Sequence, residues 1–75
     1  MPKLPILKAD ELIKILEKMD FELTRQKGSH AFFKHSDGRT TVIPIHPTEE
    51  IDRSLLNKII KHDLKISREE FMKYV

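Results

Sequence analysis

Apolar side chains recur along this chain with two different periods, and each change of period marks an element. Leu12, Ile13, Leu16 and Met19 fall three and four residues apart, the spacing of one helix face. Glu11, Lys14, Glu17 and Lys18 fill much of the rest of that turn pattern. Asp10 and Glu11 stand where the positive end of a helix dipole favours acids. The spacing predicts a helix over about 8–19, after a segment that Pro2 and Pro5 keep extended. At Phe21 the period drops to two. Phe21-Glu22-Leu23-Thr24-Arg25, Ala31-Phe32-Phe33-Lys34-His35 and Thr40-Thr41-Val42-Ile43-Pro44-Ile45 read as strands. Gly28-Ser29 separates the first two, because glycine takes the positive φ that a hairpin needs. Asp37-Gly38 separates the second and third as a two-residue hairpin signal. Pro44 has no N–H to give, so the third strand belongs at a sheet edge or ends there.

After Pro47 the helical period returns. Ile51, Leu55, Leu56, Ile59 and Ile60 form one stripe and predict a helix over about 51–62. Ser67 followed by Glu70 is a capping box opening a short helix over about 68–74, with Phe71 and Tyr74 turned inward. The order is helix, three antiparallel strands, helix, short helix. This is an α+β domain occupying residues 1–75. Short loops make the strands a meander, with the helices on one face and the other face open.

With 75 residues, such a domain hides only about 60% of its unfolded surface and has an expected stability of about 4–11 kcal/mol. That excludes an enzyme with a deep cofactor cleft, and no cofactor is implied. The chain has no cysteine, which suits a reducing compartment. Lys14 and Glu17 interrupt the Ile13, Ile15, Leu16 run, and residues 1–7 lack the apolar stretch of a signal peptide. The expectation is a cytoplasmic protein with no membrane segment. A net charge of +2 is unremarkable, but its distribution is not. Residues 1–23 carry −1, residues 24–46 carry +3 from Arg25, Lys27, Lys34 and Arg39 against Asp37, and residues 47–75 balance. His30, His35 and His46 share the basic middle. That segment suits an anionic partner.

Gly28-Ser29-His30 is the most distinctive local feature. A histidine at the mouth of a glycine turn, with Arg25 and Lys27 across the hairpin, can exchange a proton near neutral pH while the cations hold a phosphate. Taken alone, a surface histidine beside two cations is more often only solvated. His46 sits between Pro44 and Pro47, which restrict its backbone, and shares a sheet face with His30 only if the strand register allows it. His35 reads as a turn residue and His62 as a helix end. Metal binding has little support: there is no cysteine and no His-Glu-x-x-His, and His30 and His35 are five apart on a strand, which puts them on opposite faces. No Gly-rich phosphate loop is present.

These residues also stand in a familiar order. Gln26-Lys27-Gly28-Ser29-His30, preceded by Arg25 and followed by Phe33-Lys34-His35, resembles the HicA (YcfA-like) toxin family. So do the Met19-Asp20-Phe21 junction, Val42-Ile43-Pro44-Ile45-His46-Pro47 and Ser67-Arg68-Glu69-Glu70-Phe71. The resemblance spans about residues 7–73. It implies a fold resembling the double-stranded-RNA-binding domain, which agrees with the element order above. It also implies the toxin half of a type II toxin–antitoxin pair: a small ribonuclease that cuts mRNA and is covered by a HicB-type antitoxin. The family's catalytic histidine carries over to His30, and its second frequent histidine to His46. Two positions depart from the family pattern. Arg53-Ser54-Leu55 stands where a Gly-Thr-Leu step is common, and His62-Asp63-Leu64 where Ala-Gly-Leu is common.

The mechanism expected on this basis is metal-independent RNA cleavage. His30 is the base, and His46 the possible second acid or base. Arg25, Lys27, Ser29 and Lys34 contact phosphate, and Gly28 shapes the turn. The free protein is expected to be a monomer. Two other readings fit the same residues: a non-catalytic RNA-binding module, and a protein-interaction domain whose basic middle meets an acidic partner.

Overall fold

A computed structural model describes residues 4–46 and 49–75. Pro2 and Pro47, to which the sequence assigns backbone restriction, lie outside the described residues. The elements are α1 (Ala9–Lys18), β1 (Phe21–Lys27), β2 (His30–His35), β3 (Thr40–Pro44), α2 (Arg53–Lys58) running into a π-helical segment (Ile59–Leu64), and α3 (Arg68–Met72). The strands form one antiparallel sheet in the order β1-β2-β3. This is the expected α+β architecture: a helix, a three-stranded meander and helices on one face, as in a double-stranded-RNA-binding-domain-like fold. Pro44 ends β3 at the sheet edge, as its missing N–H requires.

The core lies between the sheet and the helices. Leu12, Ile15 and Leu16 of α1, Leu56 of α2, Ile59, Ile60 and Leu64 of the π segment and Phe71 of α3 pack against Phe21, Ala31, Phe33 and Ile43 of the strands. Leu4 and Leu7 join from the N-terminal segment, where the Ile51 N–H donates to the Leu7 carbonyl at 2.7 Å. Thr41 is the buried polar residue of the sheet, and its hydroxyl donates to an Asp63 carboxylate oxygen at 2.9 Å. Leu23 also points to the helix side, yet it is 53% exposed, because it borders an open groove between α1 and β1.

Local chemistry sets the ends of the elements. The Glu11 carboxylate accepts from the Lys8 N–H at 3.0 Å at the start of α1. Asp20 then takes φ 68°, one of the few non-glycine residue types that visits the left-handed region routinely, and turns the chain into β1. Ser67 caps α3 by accepting from the Glu70 N–H at 3.1 Å. Only that half of the expected capping box forms, and the Glu70 carboxylate sits 3.3 Å from Lys73 Nζ instead.

Two expected boundaries differ. The second helix begins at Arg53, capped by Asp52, and its last six residues open into the wider π turn. That turn ends against β3, where Asp63 meets Thr41 and the Leu64 carbonyl accepts from Arg39 at 2.6 Å. The second hairpin is also longer than Asp37-Gly38 suggested. The His35 N–H donates to the Arg39 carbonyl at 2.8 Å, and the Gly38 N–H donates to the His35 carbonyl at 3.0 Å. Gly38 takes φ 99°. This is a three-residue loop with a glycine after the turn. Asp37 holds it by accepting from the Arg39 N–H at 3.0 Å and from its Nε at 2.7 Å.

Candidate nucleic-acid interface

The helix-free face of the sheet is laid out by strand register. Residues paired across antiparallel strands share a face. Ala31 and Phe33 are buried on the helix side, so His30, Phe32 and Lys34 project from the open side. On β3 the same alternation sends Thr40, Val42 and Pro44 outward. On β1, simple alternation from the buried Phe21 would turn Leu23, Arg25 and Lys27 toward the helices. Leu23 does turn that way, but Arg25 and Lys27 do not, because the register shifts between Leu23 and Arg25. Thr24 is an extra residue in the ladder, a β-bulge, and its hydroxyl donates to the Phe32 carbonyl at 3.2 Å. Beyond it Arg25 pairs with Phe32 and Lys27 with His30.

The open face is therefore a grid of three rows. Glu22, Lys34 and Thr40 form the first, Arg25, Phe32 and Val42 the second, and Lys27, His30 and Pro44 the third. Rows lie about 7 Å apart along a strand and columns about 5 Å apart. Arg25, Lys27, His30 and Lys34 are all exposed. The Arg25 guanidinium carbon lies 5.8 Å from the centre of the half-buried Phe32 ring.

The hairpin turn places His30. Gly28 takes φ 58°, and Ser29 is not in the positive-φ region. A positive φ at the first of two central positions is the pattern of a type II′ turn, which matches the twist of the flanking strands. A Cβ at Gly28 would meet nothing within 4 Å, so the glycine is needed for backbone conformation and not for space. The Ser29 carbonyl accepts from the Ile45 N–H, tying the turn to the end of β3.

The other expected site residues fall in different places. His46 is exposed, two residues past the Pro44 that faces His30, and it lines a shallow pocket with Glu49, Glu50, Asp52 and Leu55. His35 is on the helix side, as its five-residue spacing from His30 requires, with its ring edge-on to Phe21 at 5.1 Å. Its Nδ1 lies 3.0 Å from the Asp37 nitrogen and 3.1 Å from an Asp37 carboxylate oxygen. Arg39 is structural: it bridges Asp37, the Phe21 ring and the Leu64 carbonyl. The basic character of the middle segment is thus presented by Arg25, Lys27 and Lys34. Thr24, Phe32 and Val42 were not singled out by sequence. The signal for Phe32 was there, since two adjacent phenylalanines in one strand must face opposite ways.

Among the described residues, no group of three or more histidine, aspartate or glutamate side chains is arranged to hold a metal ion. No helix among them is long and apolar enough to cross a membrane.

The fold and this face define a small α+β protein with a cationic, histidine-bearing sheet surface. The family model for the HicA toxin of bacterial toxin–antitoxin systems matches residues 9–63, and the chain belongs to that family. No curated protein matches the chain significantly.

Proposed function

We propose that this toxin is an endoribonuclease that cuts mRNA on the open face of its sheet, with His30 as the catalytic base. The observation that carries the reading is the row formed by Lys27 and His30, next to the row that holds Arg25. An exposed histidine beside two fixed cations suits a phosphodiester with a neighbouring 2′-hydroxyl. His30 removes the 2′-hydroxyl proton, the 2′-oxygen attacks the adjacent phosphorus, and the 5′-oxygen leaves with a proton. The products are a 2′,3′-cyclic phosphate and a 5′-hydroxyl. Lys27 and Arg25 stabilise the charge that builds on the phosphoryl oxygens. Ser29 and Lys34 add contacts to the backbone, and Gly28 keeps the turn open to it. His46 is the candidate acid for the leaving oxygen. This chemistry uses the substrate's own hydroxyl as nucleophile and calls for no metal ion. A HicB-type antitoxin would neutralise the toxin by covering the same face, and the free toxin would act as a cytoplasmic monomer.

General acid–base groups contribute roughly 10²–10⁴-fold each, so one histidine with cations makes a slow nuclease. The test is cleavage of a labelled single-stranded RNA, in EDTA, by the parent chain and by His30→Ala. The expected result is cutting by the parent alone, at sites that a 2′-deoxy substitution blocks. Salt-dependent RNA binding with no cutting by either folded protein would replace this reading with that of a non-catalytic RNA-binding module.

A further inference from the structure

Two residues in the middle row of the open face, Phe32 and Val42, are not accounted for by acid–base chemistry or by phosphate contacts. Phe32 is an aromatic ring on the side of the sheet that the helices do not cover. It lies between Arg25 on β1 and Val42 on β3, and Val42 is 38% exposed. Along β2 its same-face neighbours are His30 and Lys34, each about 7 Å away. An apolar spot ringed by Arg25, Lys27, His30 and Lys34 suits a ligand with an apolar flat part and a regular negative charge. A nucleotide in a single strand has both. The base offers a π-face to an aromatic ring or a guanidinium, and the phosphates lie on the cations. In a duplex the bases are already stacked on one another, and only their edges reach the grooves. The Arg25 guanidinium stands near the outer limit of a cation–π contact, so it borders the ring without sealing it.

We propose that Phe32, with Arg25 beside it, is the platform on which one unpaired base of a single-stranded RNA stacks, setting the strand's register relative to His30. The proposal deepens the RNA reading above and rests on it. Phe32 is a positioning residue: it holds a base, and His30 does the chemistry about 7 Å further along the strand.

The chain contains no tryptophan, so Phe32→Trp supplies a single indole reporter at the platform. In a His30→Ala background, which leaves the RNA intact, a single-stranded 12-mer is expected to quench that fluorescence strongly. A duplex of the same sequence and inorganic polyphosphate, which has charge and no bases, are expected to quench it weakly. Phe32→Leu keeps an apolar side chain of similar bulk but no π-face. It is expected to bind the single strand roughly 5- to 150-fold more weakly, with polyphosphate binding unchanged, and Phe32→Tyr is expected to restore the affinity. In cleavage assays with His30 present, Phe32→Leu should raise KM and Phe32→Tyr should not.

Unchanged single-strand affinity in Phe32→Leu, or equal quenching by duplex and single strand, would overturn the platform while leaving cleavage by His30 intact. Quenching by the single strand, with no cutting by the folded parent protein that keeps His30, would support the platform and reject the nuclease. No RNA binding by any variant would overturn both and leave this face to a protein partner.

Discussion

Lys27 stands directly opposite His30 across the β1–β2 hairpin, on the face that the helices leave open. Two backbone features produce this relationship. The Gly28 turn closes the hairpin so that the two residues pair. The Thr24 bulge changes the parity of β1 so that the pair faces outward together with Arg25. With Thr24 paired in the ladder the hairpin could still form, but Arg25 and Lys27 would compete with Phe21 and Leu23 for the helix side. The cationic character of the face is therefore set by one unpaired residue that carries no charge.

The cations of the middle segment divide into two kinds, and salt dependence separates them. Replacing Arg25, Lys27 or Lys34 by alanine should each reduce the slope of log affinity against log salt for single-stranded RNA by about 0.7, with little loss of stability. Arg39→Ala should leave that slope unchanged, because its guanidinium is held by Asp37 and the Leu64 carbonyl. Loss of that charged hydrogen bond should lower stability by roughly 1.5–3 kcal/mol. Binding titrations at several salt concentrations and thermal melts measure both effects. An Arg39→Ala slope change equal to that of Lys27→Ala would reject the division.

Deleting Thr24 should disturb the open face little more than Thr24→Ala does. The alanine variant loses the hydroxyl bond to the Phe32 carbonyl, at a cost of about 0.5–1.5 kcal/mol. The deletion removes the extra residue itself and leaves Leu23 next to Arg25. The ladder then becomes regular, with Phe21 and Leu23 on the helix side and Arg25 and Lys27 still opposite Phe32 and His30. Both variants should melt close together and keep their RNA affinity. A deletion variant that folds but no longer binds RNA would show that the bulge does more than set the parity of β1.

The order of elements was legible because each rested on one strong local signal. These were the Leu12–Met19 stripe, the Gly28 turn, the Asp-Gly step and the Ser67 cap. The histidine at the Gly28 turn and its neighbouring cations were legible for the same reason. What was not legible depends on contacts between distant segments. No feature of Phe21–Lys27 shows that Thr24 is skipped by the ladder, because the bulge follows from pairing with β2. The π turn likewise meets Thr41 and Arg39, residues about twenty positions earlier. Arg39 counted toward the basic middle segment by sequence because its partners, apart from Asp37, lie far along the chain.

Asp37 makes the second hairpin sensitive to acid. The Arg39 N–H, opposed in part by burial and then helped by the Arg39 guanidinium and the nearby His35, holds its carboxyl below the ordinary value of 3.8. A carboxyl with a lowered folded value stabilises the fold above its unfolded value, and the contribution is lost as pH falls through the folded one. Thermal melts from about pH 5 down to 2 should show a larger acid loss for the parent than for Asp37→Asn, which has no charge there to lose. Parallel curves for the two proteins would mean that the Asp37–Arg39 contacts do not couple to folding.

Phe71 lies outside the family-matched residues 9–63, yet it is fully buried in the core. It is carried by α3, a helix of five residues, too short to be stable alone. Packing of the ring into the core therefore holds the helix, and the helix in turn covers that core. Phe71→Ala removes that ring entirely and should cost about 3–5 kcal/mol. For a domain of this length the whole stability is about 4–11 kcal/mol, so the variant should be marginal or unfolded at 37 °C, with cleavage lost for that reason and not through His30. Phe71→Leu, which leaves a smaller void, should melt between the two, and its surviving folded fraction should cut RNA at the parent rate. If Phe71→Ala melted with the parent, the last helix would be an accessory to a core complete without it.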